Sequence, residues 1–178
     1  MKKLFSIAIV AILALANVNA QEPSFGLKAG FNSLSIRASA EGVSASESAS
    51  GFYIGAFGEF QVSEKFDIQT ELQFVSVSED GESSSVLALP IMAKINVADK
   101  VSAVAGPQLG FLLDDDAEGI KKFGIGLGAG LAFDITDDIF IDGRYVFGLN
   151  NRLEETNIEG IDVDAKFNYL QIGLGYRF

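Results

Sequence analysis

Hydrophobic and polar side chains alternate with a period of two along most of the chain after residue 23. In the segment 66–74 the odd-numbered positions carry Asp67, Gln69, Glu71 and Gln73, while apolar residues and one threonine fill the even-numbered ones. The segment 169–178 alternates in the same way. A period of two sorts side chains onto the opposite faces of a strand, whereas a helix would mix them. The pattern therefore predicts amphipathic β-strands.

Eight such segments can be delimited, at about 24–37, 51–62, 66–77, 86–97, 101–113, 122–135, 139–150 and 165–178. A strand that crosses a bilayer at a tilt needs about 9–11 residues, and each segment is long enough. Short connections at 63–65, 98–100 and 136–138 alternate with long polar ones at 38–50, 78–85, 114–121 and 151–164. Even strand number and this asymmetry predict an all-β fold, an eight-stranded antiparallel up-and-down transmembrane β-barrel.

The first twenty residues have the pattern of a cleaved export signal. Lys2 and Lys3 precede an apolar stretch at 4–16, and Ala20 provides a small residue at the expected cleavage point. The apolar stretch is too short to favour a retained membrane anchor. The sequence thus predicts a signal peptide at 1–20 and one barrel domain at 21–178.

The composition supports dispersed rather than continuous hydrophobicity. Hydrophobic residues make up 48% of the chain, yet no apolar run after residue 20 approaches the roughly 18 residues of a membrane-spanning helix. The glycine run at 124–130 resembles a dinucleotide-binding loop, but no helix follows and the period of two continues through it. We interpret these glycines as space on the inner face of a narrow barrel for bulky residues, with five candidates: Tyr53, Phe140, Arg144, Phe167 and Tyr169.

Missing residue types exclude several kinds of chemistry. The chain has no cysteine and no histidine, which removes thiolate and imidazole metal sites and catalysis by an imidazole base. A net charge of −11 disfavours nucleic-acid binding, which needs clustered lysine and arginine. The acidic run at 114–116 lacks the alternating ligand spacing of a calcium loop, so we interpret it as a solvated loop tip. No cofactor is expected.

Five charged residues fall on the polar face of their strands and are predicted to meet inside the barrel: Glu59, Glu71, Lys94, Asp142 and Arg144. They could be read as an acid–base cluster. A buried network of ion pairs is the better interpretation, because unpaired charges in a narrow interior would be costly. We therefore predict a filled interior and no enzymatic activity.

Four segments together resemble the small outer-membrane β-barrel family of Bacteroidota, which includes PorT-like proteins. They are FGLKAGFN at 25–32, LALPI at 87–91, GP at 106–107 and YLQIGLGYRF at 169–178. The resemblance covers essentially the whole chain after the signal, and it implies a barrel in the bacterial outer membrane. It also implies that the C-terminal Leu174, Tyr176 and Phe178 form the signal read by the barrel-insertion machinery.

Two functional classes remain open. The first is a structural or surface-interaction protein with a filled lumen, whose partners are outer-membrane lipid and an extracellular partner that meets the acidic loops. The second is a barrel that binds or transports a small solute through a narrow channel. A soluble lipocalin-like barrel is a weaker alternative, because its apolar face would point inward, the inverse of the predicted arrangement.

Overall fold

The structure is a computed structural model. The structure describes residues 23–40, 43–79, 82–114, 119–153, 157–158 and 161–178; the predicted signal peptide at 1–20 lies outside them. Nine strands occur in the described residues: β1 Ser24–Ala40, β2 Val43–Ser63, β3 Phe66–Glu79, β4 Glu82–Ala98, β5 Val101–Leu112, β6 Phe123–Asp134, β7 Ile139–Gly148, β8 Asn157–Ile158 and β9 Ile161–Arg177.

The sheet closes on itself as an eight-stranded antiparallel barrel. β1 to β7 pair in sequence order, β7 pairs with β9, and β9 pairs with β1 through a ladder that includes Ala29 opposite Leu174. The two-residue β8 pairs only with the start of β9 and lies outside the barrel wall. Closure leaves the eight wall strands without a free edge at mid-barrel, as the sequence predicted.

The two faces of the wall are sorted as the alternation predicted. Large apolar side chains cover the outside, and representative members of this belt are Phe31, Phe52, Leu72, Leu127, Ile141, Ile172 and Leu174, each about half exposed. Asp67, Gln69, Glu71 and Gln73 are buried on the inner face. An outer surface this apolar around a polar interior is the arrangement that a lipid environment requires.

The two ends of the barrel differ. Tight turns at 64–65 and 99–100, and the slightly longer turn at 135–138, lie at one end together with Ser24 and Arg177. In the last of these turns the Thr136 hydroxyl accepts a hydrogen bond from the amide of Ile139 at 3.0 Å. We call this the short-turn end, and the opposite one the long-loop end.

Three of the predicted long loops are shorter than expected. Strand pairing continues through most of 38–50 to Ala40 opposite Val43, through most of 78–85 to Glu79 opposite Glu82, and β9 begins at Ile161. These segments are rich in serine, alanine and acidic residues, so their alternation of hydrophobicity fades beyond the lipid. The strands nevertheless continue, because the backbone hydrogen bonds between them do not require apolar side chains. The predicted loops were therefore too long.

The predicted loop at 114–121 contains no barrel strand among its described residues. An isolated bridge joins Ile120 to Leu153, and the carboxylate of Asp114 accepts a hydrogen bond from the amide of Ser85 at 3.0 Å. Asp115, Asp116 and the acidic residues at 154–155 and 159 lie outside the described residues. None of the described residues belongs to a helix long and apolar enough to cross a membrane.

Glycines on the inner face make the room that the bulky side chains occupy. A Cβ at Gly173 would overlap the hydroxyl of Tyr53, and one at Gly175 would overlap the ring of Phe140. The run at 124–130 instead accommodates other neighbours, among them Arg152 beside Gly124 and Met92 beside Gly128. Glycines therefore provide space in the lumen, as predicted. For Tyr53 and Phe140, however, the space comes from glycines of β9 and not from the run at 124–130.

Candidate functional site

The centre of the barrel interior holds four charged side chains from three strands. Arg144 on β7 donates from Nη2 to Glu71 Oε1 on β3 at 2.6 Å and to Asp142 Oδ2 at 3.0 Å. Lys28 on β1 donates from Nζ to Asp142 Oδ2 at 2.5 Å and lies 3.5 Å from Glu71 Oε1. All four are buried. We call these four residues the central cluster; its two cations and two carboxylates balance.

Amide side chains complete the coordination of Glu71. Gln69 donates to Glu71 Oε1 at 2.8 Å, and Gln73 donates to Glu71 Oε2 at 2.5 Å. Gln171 on β9 in turn donates to Gln73 at 3.2 Å. Hydrogen bonds from both flanking glutamines satisfy a carboxylate that would otherwise be expensive to bury. The hydrogen-bonded set therefore spans the lumen from β3 to β7, β1 and β9.

A second group of ion pairs lies at the short-turn end. Lys94 on β4 donates to both carboxylate oxygens of Glu59 on β2, at 3.0 and 3.2 Å. Arg177 on β9 donates to Asp134 Oδ1 at 2.8 Å, and its Nε lies 3.7 Å from Glu59 Oε1. We call these four residues the end cluster.

The ring of Phe140 lies between the two clusters. Lys28 Nζ is 5.7 Å from the ring centroid, Lys94 Nζ is 5.9 Å from it, and the guanidinium carbon of Arg177 is 4.4 Å from it. Phe57 packs edge-on at 5.5 Å between centroids. Cations of both clusters are thus attracted to one aromatic ring, which separates them.

The structure divides the five charged residues predicted from sequence between these clusters. Glu71, Asp142 and Arg144 lie in the central one, whereas Glu59 and Lys94 lie in the end one. Lys28, Asp134 and Arg177 were missed as members. For Lys28 the signal was present, because it alternates with the outward-facing Leu27 and Ala29 in β1.

Cavities lie on both sides of the central cluster. On the long-loop side the space is only about 20 Å³, roughly the room for one water, and Arg152, Phe167 and Tyr169 are among its lining residues. Arg152 stacks 4.8 Å from the Phe167 ring centroid, and burial lowers the pKa of its guanidinium. On the short-turn side lies a cavity of about 370 Å³, whose lining includes the four residues of the end cluster. We call this cavity the vestibule.

The predicted insertion signal occupies the outer face at the short-turn end. Leu174 and Tyr176 point outward from β9 and are exposed, and Phe178 stacks edge-on against Tyr176 at 5.6 Å between centroids. The amide of Phe178 donates to the carbonyl of Phe25 at 2.9 Å. Its recognition by insertion machinery stays a prediction. Within the described ranges, no group of three or more acidic residues is arranged to hold a metal ion.

Sequence and fold comparisons agree with this geometry. The profile of the outer membrane protein beta-barrel domain matches residues 5–178, so the chain belongs to that family and is a protein of the bacterial outer membrane. No curated protein sequence matches the chain.

Two solved barrels of similar fold are the attachment invasion locus protein Ail of Yersinia pestis and the Neisserial surface protein A. Ail is 16% identical with a TM-score of 0.54, and the Neisserial protein is 15% identical with a TM-score of 0.53. Each alignment covers 89% of this chain and all of the other. At this identity the likeness concerns the fold.

Proposed function

We propose that this protein is a closed, non-conducting and non-enzymatic barrel that serves a structural or surface-interaction role in the outer membrane. The observation that carries the proposal is the central cluster, which crosses the lumen and leaves no residual charge. An open pore would keep such residues hydrated and apart. Here Arg144 and Glu71 are both buried and 2.6 Å from each other.

Large side chains support the same conclusion by filling the lumen beside the charges. Tyr53, Met92 and Phe140 are each about 1% exposed. Eight strands enclose an interior that side chains can just fill. Charge pairing and packing together support a centre that has no route wide enough for a metabolite.

Orientation follows from the general asymmetry of such barrels, in which short turns face the periplasm and long loops face outward. The long-loop end then faces the cell exterior and would meet any extracellular partner. The narrower resemblance to PorT-like proteins of Bacteroidota, and a partner that meets the acidic loops, stay predictions.

Planar-bilayer recordings on the purified barrel test the proposal. The wild-type protein should conduct little, and both Arg144→Ala and Glu71→Ala should raise conductance because each opens the central cluster. Each should also lower thermal stability, since removing one partner of a buried pair costs about 3–5 kcal/mol. Arg177→Ala is the matched control, because it removes a lumen cation without breaking the central cluster.

The alternative is a barrel that transports a small solute, and the vestibule is the observation that favours it. Large, stable wild-type conductance that neither Arg144→Ala nor Glu71→Ala changes would reject the closed barrel and favour transport. A rise with Arg177→Ala equal to that with Arg144→Ala would also contradict a constriction at the central cluster.

A further inference from the structure

The vestibule at the short-turn end contains a carboxylate without a hydrogen-bond partner in the described part of the chain, that of Asp67. Asp67 is 7% exposed and lines this cavity. Among the described residues it forms no hydrogen bond and no ion pair. Its carboxylate oxygens are open to the cavity, so a cation that enters the vestibule can bind to them directly.

The absence of a partner has a specific geometric cause. Lys94 is directly opposite Asp67 in the ladder between β3 and β4, where a cross-strand ion pair would be expected. Its ammonium group instead donates to both oxygens of Glu59. The guanidinium of Arg177, which also lines the vestibule, donates to Asp134 and lies beside Glu59. The cations of the end cluster are therefore committed elsewhere.

The charge of the lining indicates the sign of the ligand. Four carboxylates line the vestibule, those of Glu59, Asp67, Asp134 and Asp137, against three cations, those of Lys94, Lys100 and Arg177. The net formal charge of these seven side chains is 3 − 4 = −1. Glu59 and Asp134 are paired with Lys94 and Arg177, which leaves Asp67 and the exposed Asp137 against the exposed Lys100. The excess charge of the vestibule is therefore negative.

The size and the donor set decide between an organic and a metal cation. About 370 Å³ falls at the lower end of the range of small-molecule pockets. A divalent metal would need several free oxygen ligands together, and the described residues contain no such group of three. We propose that the vestibule is a binding site for a small organic ammonium ion, with the Asp67 carboxylate accepting its hydrogen bonds.

Calorimetric titration of the folded, detergent-solubilised protein with n-butylammonium tests this site. Saturable binding is expected, and Asp67→Asn should weaken it by about tenfold or more, because a hydrogen bond to a charged group is lost. Asp99→Asn is the matched control: it removes the same charge at the same end, from an exposed turn residue that does not line the vestibule. It should leave the affinity unchanged.

Two further titrations complete the test. Butyrate, which has the same size and the opposite charge, should not bind, and magnesium should not displace butylammonium. Equal binding of butyrate, displacement by magnesium, or an unchanged affinity in Asp67→Asn would each overturn the proposal. Thermal unfolding of Asp67→Asn should show a barrel at least as stable as the wild type, because an unpaired buried charge has been removed. This result would separate lost binding from lost folding.

Discussion

The ring of Phe140 lies so close to the Cα of Gly175 that a Cβ there would overlap three ring carbons. β7 and β9 are paired at this point, with Phe140 directly opposite Gly175. Because Gly175 has no side chain, the ring of Phe140 can pack against its backbone and extend into the space between the central and end clusters.

Gly175→Ala should therefore destabilise the barrel by about 1–3 kcal/mol, the usual cost of overpacking a filled interior. Urea titration of the refolded protein in detergent micelles measures the change. Gly143→Ala is the control, because nothing lies within 4 Å of a Cβ at that position. Equal losses in the two variants would show that glycine matters here through backbone flexibility and not through Phe140.

Arginine on the lipid face should interfere with insertion in a way that depends on depth. Leu127 is 49% exposed near the middle of β6, and Leu127→Arg should cost about 2–4 kcal/mol. Ile135 has a similar exposure of 45% but lies in the short turn after β6, where the same change should cost about 1 kcal/mol or less. Folding titrations into lipid vesicles compare the two variants. Similar costs at both positions would contradict the assignment of Leu127 to the bilayer interior.

The aromatic C-terminus is predicted to act during assembly more than in the folded state. Phe178→Ala should slow barrel assembly in vesicles that contain the insertion machinery, with little effect on spontaneous folding in detergent. Phe25→Ala is the control, since Phe25 is another exposed aromatic residue at the short-turn end and contacts Phe60. If both variants assemble at the wild-type rate with the machinery present, Phe178 is not part of the insertion signal.

Export with cleavage after Ala20 is predicted by the first twenty residues. Intact-mass measurement on protein isolated from the outer-membrane fraction should give a chain that begins at Gln21. A mass that still includes residues 1–20 would contradict the predicted signal peptide.

The barrel could be predicted from sequence because the membrane imposes a strict alternation on each strand. Leu72 and Gln73 are neighbours in β3, and the pattern placed the first on the lipid face and the second on the inner face, as observed. An odd or even position along the strand determines which face a side chain occupies. It does not determine how deep in the barrel the side chain lies or how far it extends. For this reason the choice of Lys94 between its ladder neighbour Asp67 and the more distant Glu59 had no signal in the sequence.

The ends of the strands were harder to predict for a related reason. Outside the lipid the outer face of a strand contacts water, so it no longer carries large apolar side chains. The exposed Ser48 and the buried Ala49 in β2 are both small, and their contrast in hydrophobicity is too weak to distinguish a paired strand from a loop. Backbone hydrogen bonds keep these residues in the sheet. Since such bonds do not depend on the type of side chain, the composition of the segment does not reveal them.

The length of β2 has a mechanical consequence for the long-loop end of the barrel. Its 21 residues measure about 70 Å at about 3.3 Å per residue. Crossing a hydrocarbon core of about 30 Å at a tilt of about 45° uses about 42 Å of this length. The remainder stays laddered to β1, which in turn stays laddered to β9 as far as Val163. The barrel therefore extends beyond the bilayer as a three-stranded ribbon of β9, β1 and β2. Because its strands are hydrogen-bonded to one another, this ribbon is stiffer than a loop of the same length and keeps a fixed distance from the membrane.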